Sequence, residues 1–442
     1  MNAVVVAVGL MLLLSLLRVH VVLALAISAI VGGLVGGLSF NTTIEVFTAG
    51  LGGNAEIAFS YALLGGFAIA LAKTGLPDFL ISKLQQWMER KGESRQQTLT
   101  KMLLFFMLTI VACMSQNLIP IHIAFIPILI PPILTILNQL QVDRRLIACI
   151  LTFGLTAPYM LLPYGFGQLF HRIIADNMAQ SGLVIDMAMI PEAMLLPTAS
   201  SVLGLVLAVF VSYRKNRAYH NEPLAGFEHA EEQQPYTKWT LTAAGAAVVV
   251  TVAVQWAYND SMIPAALSGI FVLLATRAVQ FRIADDMITD GMKMMAFIGF
   301  VMLAAAGFAD VIRETGHVET LVADVVATIG GNKAIAVAAM FAVGLVITLG
   351  IGSSFSTIPI IAVLFVPLGM ELGLSTMAII SLIGAAGAIG DAGAPASDST
   401  LGPTAGLNAD GQHNHIWDTC VPTFLHFTVP LFIFGWIAAM IL

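Results

Sequence analysis

Residues 377–400 read MAIISLIGAAGAIGDAGAPASDST, and this stretch decides how the chain folds. Its first part is apolar enough to lie in a membrane. Its second part places Asp391 and Asp398 on either side of Gly393 and Pro395, which interrupt a helix. A charged side chain at the centre of a bilayer costs about 2.5–3.5 kcal/mol, and unwound backbone is tolerated at that depth where it lines a site. The stretch therefore predicts a broken membrane helix and a cation-binding site in a transporter.

Composition places the whole chain in a membrane. Of its 442 residues 58% are hydrophobic and 10% are charged, whereas soluble domains carry about 25% charged residues. We predict an all-α polytopic membrane protein whose partner is the lipid bilayer. No basic patch with interleaved aromatics indicates a nucleic-acid partner. The first apolar run, 2–17, lacks the basic residues that precede the core of a secretory signal, so we interpret it as a retained span.

The apolar runs form two sets of six, which predicts an internal duplication. The first set lies near 2–17, 21–38, 56–72, 102–138, 146–168 and 194–213, and the second near 239–257, 262–276, 292–309, 334–370, 375–390 and 416–442. At an offset of 239 residues, Ser115 and Pro120 meet Ser354 and Pro359. We predict a first repeat over 1–213, a polar linker over 214–238 and a second repeat over 239–442.

Two of these runs, 102–138 and 334–370, are each long enough for two passes and have a polar middle. The proline-rich second arm of the first run disfavours an undisturbed helix. We predict a re-entrant hairpin in each repeat, with polar residues at its tip, beside about five transmembrane helices. An odd number of spans inverts the second repeat relative to the first.

The basic residues give the orientation. With the N-terminus outside, all of the 19 Lys and Arg residues except Arg172, Arg313 and Lys333 fall on one side of the predicted topology. Cytoplasmic loops carry such an excess of positive charge, so the linker is predicted to be cytoplasmic.

The candidate ion- or substrate-binding residues all carry side-chain oxygens or amides and lie in the acidic run, at the hairpin tips or at the first-repeat counterpart of the acidic run. They are Asp391, Asp398, Ser397, Ser399, Thr400, Ser115, Gln116, Asn117, Ser354, Ser356, Thr357 and Thr156. Na⁺ is predicted at the two aspartates, where H⁺ can compete with it. Since the first-repeat counterpart has no carboxylate, the site should be asymmetric.

Alternative interpretations apply to each group. Asp398 can cap a turn that is already in water, and small hydroxyl residues often pack helices together in membranes. His413 and His415 with Asp410 resemble a metal loop, but their spacing is typical of any polar loop. The three cysteines, Cys113, Cys149 and Cys420, are scattered in apolar runs and are predicted to be packing residues.

The acidic run resembles the G-D-x-x-S-P-x-S-D-T-T signature of NhaC-type Na⁺/H⁺ antiporters, which belong to the ion transporter superfamily. Two positions differ, because Ala394 replaces a serine and Ser399 replaces a threonine. Residues 17–25, LRVHVVLAL, and 60–65, SYALLG, resemble a bacterial subgroup that includes YuiF-like amino-acid permeases, histidine among their substrates. The resemblance covers essentially the whole chain. It implies a scaffold part, a transport part with two hairpins and two broken helices, and a homodimer.

These observations predict an ion-coupled secondary transporter of the bacterial inner membrane, of Na⁺/H⁺ antiporter type. The alternative is a Na⁺- or H⁺-coupled amino-acid permease. No P-loop or other nucleotide motif is present, so Na⁺ or H⁺ gradients are expected to drive transport without a further cofactor. An intramembrane aspartyl protease is disfavoured, because the chain reads GAIGD before and at Asp391 and has no Tyr-Asp pair. We do not expect an enzyme.

Overall fold

The computed structural model describes residues 2–76, 79, 93–117, 125–222, 237–258, 261–318, 320–321 and 332–442, and within these ranges the chain is helical without strands. Seven of the described helices are long and apolar enough to cross a membrane, or nine when two bent helix pairs each count as one span. Five shorter apolar helices accompany them. The chain is therefore an all-α, multi-pass membrane protein, as the apolar runs predict.

The helices follow the predicted runs closely, and we number them along the chain. The first half contains α1 (Ala3–Leu16), α2 (Val21–Val35), α3 (Phe40–Gly50), α4 (Ala55–Lys73), α5 (Glu93–Asn117), α6 (Phe125–Gln139), α7 (Arg144–Leu161), α8 (Phe166–Gln180), α9 (Met189–Ala193) and α10 (Leu195–Leu207). The second half contains α11 (Lys238–Ala257), α12 (Met262–Ala275), α13 (Ala284–Glu314), α14 (Lys333–Ile351), α15 (Ser354–Glu371), α16 (Thr376–Ala388), α17 (Asp398–Leu407) and α18 (His415–Ile441).

The helices pack as two bundles, and each bundle takes helices from both halves of the chain. The first bundle contains α1–α4 and α11–α13, with α13 packed along α2, α3 and α4. The second bundle contains α5–α10 and α14–α18. The bundles meet where α1 and α13 contact α14, where α4 contacts α6, and where α13 contacts α17. The inverted relation of the two repeats stays a prediction.

Breaks between consecutive helices position the site. The backbone of Gly352 is left-handed, with φ 74°, and ends α14 two residues before α15 begins. Helix α16 ends at Ala388 and α17 begins at Asp398, with Gly393 at φ 94° in the unwound segment. A Cβ added at Gly352 would lie 2.8 Å from the Ala396 carbonyl oxygen, so the absence of a side chain lets these two breaks touch.

One detail of the predicted breaks differs from the sequence interpretation. Helices α14 and α15, the two arms of the predicted second hairpin, have 19 and 18 residues. The first hairpin's turn, at 118–124, lies outside the described residues. In the first half, helix α7 continues through Pro158 to Leu161, and a bend of 49° separates it from α8. The first-half break therefore follows Pro158, because the Leu162 N–H still donates to the Pro158 carbonyl, at 2.8 Å.

Candidate functional site

A cavity of about 80 Å³ lies in the second bundle, where the ends of four helices converge. The break between α14 and α15 lines one side, the unwound segment and first turn of α17 line another, and α7 and Phe166 complete the wall. Helix N-termini carry partial positive charge and C-termini partial negative charge, so such a meeting point suits an ion. The lining residues are Leu155, Tyr159, Phe166, Gly352, Ser353, Ser354, Phe355, Asp391, Ser397, Asp398 and Ser399.

Asp391 lies in the wall of this cavity and is 6% exposed. The Tyr159 hydroxyl donates a hydrogen bond to Asp391 Oδ2, and it also lies 3.3 Å from Ser354 Oγ. Asp391 Oδ1 is buried and has no hydrogen-bond partner among the described residues. A buried carboxylate oxygen without a donor is costly, so this atom is available for a proton or a cation.

Asp398 lies in the same cavity as the first residue of α17 and is partly exposed. Ser397 caps this helix, because its Oγ accepts from the Ser399 N–H at 3.2 Å. The Thr400 hydroxyl is not in the cavity wall, since it bonds the carbonyls of Ala394 and Ser397 at 2.5 and 2.9 Å. Thr400 thus holds the unwound segment closed, and Asp398 is presented at a positively polarised helix end.

The charged side chains that line the cavity are all acidic. Two carboxylates line it, and none of its described lining residues is Lys, Arg or His. Serine hydroxyls and a tyrosine hydroxyl supply further oxygens. Carboxylate and hydroxyl oxygens suit hard cations, whereas a substrate carboxylate placed here would face two negative charges without a cationic partner.

The remaining predicted site residues lie elsewhere. Ser115 is buried in α5 with its hydroxyl on the Ala112 carbonyl, and the side chains of Gln116 and Asn117 lie outside the described part of the chain. Thr156 donates to the Thr152 carbonyl within α7, and Thr357 donates to the Ser353 carbonyl at the start of α15. These hydroxyls are satisfied by their own or the adjoining backbone. Ser356 is also absent from the cavity wall.

Sequence reasoning missed the aromatic wall of the site. Tyr159 is 2% exposed and packs against Phe170 and Phe355, at ring-centroid distances of 4.9 and 6.0 Å. It lies directly after Ala157-Pro158, the pair that matches Ala394-Pro395 in the second repeat. The available signal was that match between the repeats, because it marks Tyr159 as the hydroxyl-bearing residue directly after the matched pair.

A polar cluster lies at those ends of the second bundle that the charge distribution predicts to be cytoplasmic. The Arg144 guanidinium is fully buried and binds Asp410 through two contacts of 2.6 Å, together with the Leu407 carbonyl. Burial raises the pKa of the Asp410 carboxyl, but hydrogen bonds from Arg144 outweigh burial and hold that pKa below its ordinary value. No group of three or more His, Cys, Asp or Glu side chains suited to a metal occurs among the described residues. Asp410 and His413 lie in the loop between α17 and α18, and His415 is the first residue of α18.

The start of the linker docks on this cluster. The Tyr219 ring lies 4.4 Å from the Arg144 guanidinium carbon, and Arg217 donates to Asp418 at 2.9 Å. The His220 carbonyl accepts from Asn138. Residues 213–222 are therefore fixed to the second bundle, whereas α11, which follows the linker, belongs to the first. Residues 223–236 lie outside the described part.

Comparison with known proteins gives full-length relatives. The model of the Na⁺/H⁺ antiporter family matches residues 150–436, and a second Na⁺-H⁺ antiporter family model matches residues 2–88. The chain is 55% identical to the putative amino acid transporter YuiF of Bacillus subtilis, over 100% of both chains. It is 51% identical to a membrane protein of Vibrio parahaemolyticus, again over 100% of both. The solved structure of Neisseria gonorrhoeae MtrF, described as representing a class of antimetabolite efflux pumps, aligns with a TM-score of 0.42 and 16% identity over 91% of this chain and 85% of MtrF.

Proposed function

The chain belongs to the Na⁺/H⁺ antiporter family, and from this premise we propose that it is a secondary transporter of the bacterial inner membrane in which Asp391 and Asp398 bind Na⁺ and H⁺ in alternation. The observation that carries the proposal is Asp391 Oδ1, a buried carboxylate oxygen without a described partner in a cavity that holds a second carboxylate. One Na⁺ entering such a site displaces one H⁺, and this competition is the elementary step of exchange.

The size of the cavity supports a small ion. A water molecule occupies about 30 Å³ of liquid and needs about 10–15 Å³ of cavity volume, so about 80 Å³ accommodates a cation with a few waters. Sites for small organic molecules are typically 300–1,000 Å³. In this conformation the central cavity therefore favours an ion over an amino acid.

A second candidate is coupled amino-acid transport, and the observation that favours it is the 55% identity to YuiF of Bacillus subtilis, which is named a putative amino acid transporter. In that case the aspartates bind the coupling ion, and the amino acid binds outside the cavity of about 80 Å³ or in a wider state of it. Both candidates require the carboxylates and the same driving gradients.

Reconstitution into proteoliposomes tests the proposal. A proton-sensitive dye is trapped inside, a Na⁺ gradient is imposed, and H⁺ movement is followed with and without a mixture of labelled amino acids. Wild-type protein should move H⁺ against Na⁺, and Asp398→Asn should reduce this to the level of protein-free liposomes, because the amide keeps the shape but holds neither the charge nor the exchangeable proton.

Asp286→Asn is the matched control, since Asp286 is exposed at the start of α13, far along the chain from the acidic run, and undergoes the same chemical change. It should leave exchange unchanged. Na⁺-driven H⁺ movement by folded Asp398→Asn at the wild-type rate would contradict the role of this carboxylate. H⁺ or Na⁺ flux that requires an added amino acid would favour the second candidate.

A further inference from the structure

A second, larger cavity opens at the predicted cytoplasmic end of the molecule, and we call it the vestibule. Its volume is about 530 Å³, within the range typical of sites for small organic molecules. The loop between α1 and α2 forms one wall, Phe297 of α13 a second, and residues 408–418 between α17 and α18 a third. The vestibule thus lies between the two bundles, whereas the central cavity lies within the second.

The vestibule carries both signs of charge, unlike the central cavity. Arg18 lines it with an exposed side chain, and no ion pair to Arg18 occurs among the described residues. Asp418 lines it as well, with one carboxylate oxygen bound to Arg217 and the other accepting from the Asn414 N–H at 3.0 Å. A carboxylate has about four lone-pair directions, so Asp418 keeps capacity for a further donor.

Polar and aromatic side chains complete the wall. The His20 and Phe297 rings meet edge to face at 5.5 Å, and Phe297 meets His415 in the same way at 5.8 Å. His413 also lines the vestibule and is 2% exposed, and its Nδ1 has no hydrogen-bond partner among the described residues. These side chains offer a ligand apolar surface together with unused hydrogen-bonding capacity.

The floor of the vestibule is connected to the unwound segment of the central site. His415 Nε2 lies 2.8 Å from the Pro395 carbonyl oxygen, and since a carbonyl only accepts, this nitrogen is the donor. The other ring nitrogen, Nδ1, lies 2.8 Å from the Thr404 hydroxyl oxygen in α17. A molecule resting on His415 is therefore one side chain away from the backbone between Asp391 and Asp398.

We propose that the vestibule is a binding site for a free α-amino acid, with the carboxylate at Arg18 and the ammonium group at Asp418. The zwitterion is the ligand class that uses both charges, and the volume of about 530 Å³ accommodates its side chain beside His20 and Phe297. The proposal deepens the second candidate function and rests on it, because the described residues that line the central cavity offer no cation to a substrate carboxylate.

Equilibrium dialysis of the purified full-length protein tests this site, with a ¹⁴C-labelled mixture of L-amino acids as the probe. Wild-type protein should retain label that unlabelled amino acids displace. Amino-acid amides, which lack the carboxylate, and propionate, which lacks the ammonium group, should displace it about tenfold more weakly, because each has lost one of the two charged hydrogen-bonding groups.

Arg18→Asn removes the cation and suits the backbone, because asparagine tolerates the φ of 66° at this position. Arg277→Asn is the matched control: Arg277 is also basic, exposed, left-handed at φ 55° and outside the vestibule wall. Arg18→Asn should weaken retention about tenfold and Arg277→Asn should not. Val19→Trp, which fills the vestibule from its own wall, gives an independent loss of binding.

Measuring amino-acid retention and Na⁺/H⁺ exchange on the same variants tests the vestibule proposal and the exchange proposal separately. Asp398→Asn should lose exchange and keep the label. If wild-type protein retains no amino acid, or if Arg18→Asn and Val19→Trp both bind as wild type does, the vestibule proposal is wrong while Na⁺/H⁺ exchange stands on its own assay. If Asp398→Asn loses the label while both vestibule variants keep it, the amino acid binds in the central cavity instead.

Discussion

At the scale of single residues, burial separates ion pairs that matter for stability from those that do not. Arg144 and Asp410 have side chains that are 0% and 2% exposed, whereas Arg313 and Asp310 form a 2.9 Å pair at 44% and 42% exposure. Removing one partner of a buried pair leaves a desolvated charge and costs about 3–5 kcal/mol. An exposed pair contributes about 0.2–1 kcal/mol.

Asp410→Asn should therefore lower the free energy of unfolding by about 3–5 kcal/mol, and Asp310→Asn by less than about 1 kcal/mol. Thermal or denaturant unfolding of the detergent-solubilised protein measures both. The two variants change the same group in the same way, so their difference reports burial. Equal effects would mean that Arg144 finds another partner when the carboxylate is gone.

The Arg144–Asp410 pair also predicts a pH dependence. The pKa of Asp410 is lower in the folded protein than in the unfolded chain, so the pair's contribution is fully present above the unfolded pKa of about 4 and is lost as pH falls through the folded value. Unfolding temperature measured from pH 7 to pH 3 should fall at the acid end in wild type. The fall should be shallower in Asp410→Asn, and identical slopes would contradict this account.

At the scale of helices, the contact between two breaks is the feature that forms the central cavity. Gly352 ends α14 with φ 74°, and a Cβ there would meet the Ala396 carbonyl oxygen at 2.8 Å. Gly373, in the loop after α15, has φ 67° with nothing within 4 Å of a Cβ. Comparing the same substitution at Gly352 and at Gly373 therefore separates the effect of backbone strain from the effect of the contact between the two breaks.

Gly352→Ala should reduce exchange by at least about tenfold and lower the unfolding temperature, because the unwound segment, which carries Asp391 and leads into Asp398, must move away. Gly373→Ala carries only the strain of a left-handed alanine, about 1–3 kcal/mol, and should retain exchange per folded protein. Exchange in proteoliposomes, normalised to monodisperse protein, measures the difference. Wild-type exchange by Gly352→Ala would show that the breaks need not touch.

Helix positions were predictable from the sequence because apolar runs and Gly/Pro interruptions carry a strong signal. It was also predictable that Asp391, Asp398 and Ser354 line one cavity, since unwound backbone and buried charge together indicate a binding site. Which side chains of a helix face the cavity was harder to predict. Leu155 and Tyr159, four residues apart on one face of α7, line the cavity, while Thr156 is rotated by about 100° and bonds its own helix.

The docked linker and the Arg144–Asp410 pair could not be predicted. Their partners are up to 266 residues apart, and single charged residues at predicted span ends look alike whether they are solvated or paired. The vestibule was missed for the same reason, because its three walls come from separate parts of the chain.

At the scale of the molecule, two bundles that share few contacts predict movement of one against the other. Val8 of α1 and Gly350 of α14 touch across the bundle boundary, since a Cβ at Gly350 would lie 2.7 Å from Val8 Cγ2. Ala7 and Gly32 touch within the first bundle at the same 2.7 Å. In a protein whose three native cysteines are replaced, one cysteine pair can be placed across the bundle boundary and the other within the first bundle.

The Val8→Cys and Gly350→Cys pair should form a disulfide that arrests exchange, and reduction should restore it. The Ala7→Cys and Gly32→Cys pair, which joins two helices of the same bundle, should leave exchange running in either redox state. Each single cysteine variant controls for the added Cβ. Full exchange by protein whose bundles are cross-linked would contradict movement across this boundary. A homodimer through the first bundle, which would anchor it, remains a prediction.

Arg144 and Asp410 are far apart in the sequence, and this has a consequence for the order in which the chain is synthesised and folds. The guanidinium leaves the ribosome 266 residues before its carboxylate, which at about 5–20 residues per second is about 13–50 s. During that interval the nascent chain holds a cation that cannot be buried, and neither bundle has all of its helices. The second bundle can close only when the last two helices arrive, so completion of the chain and burial of Arg144 coincide. A chain truncated before residue 410 lacks the carboxylate that neutralises Arg144, so the finished protein alone can bury this guanidinium as an ion pair.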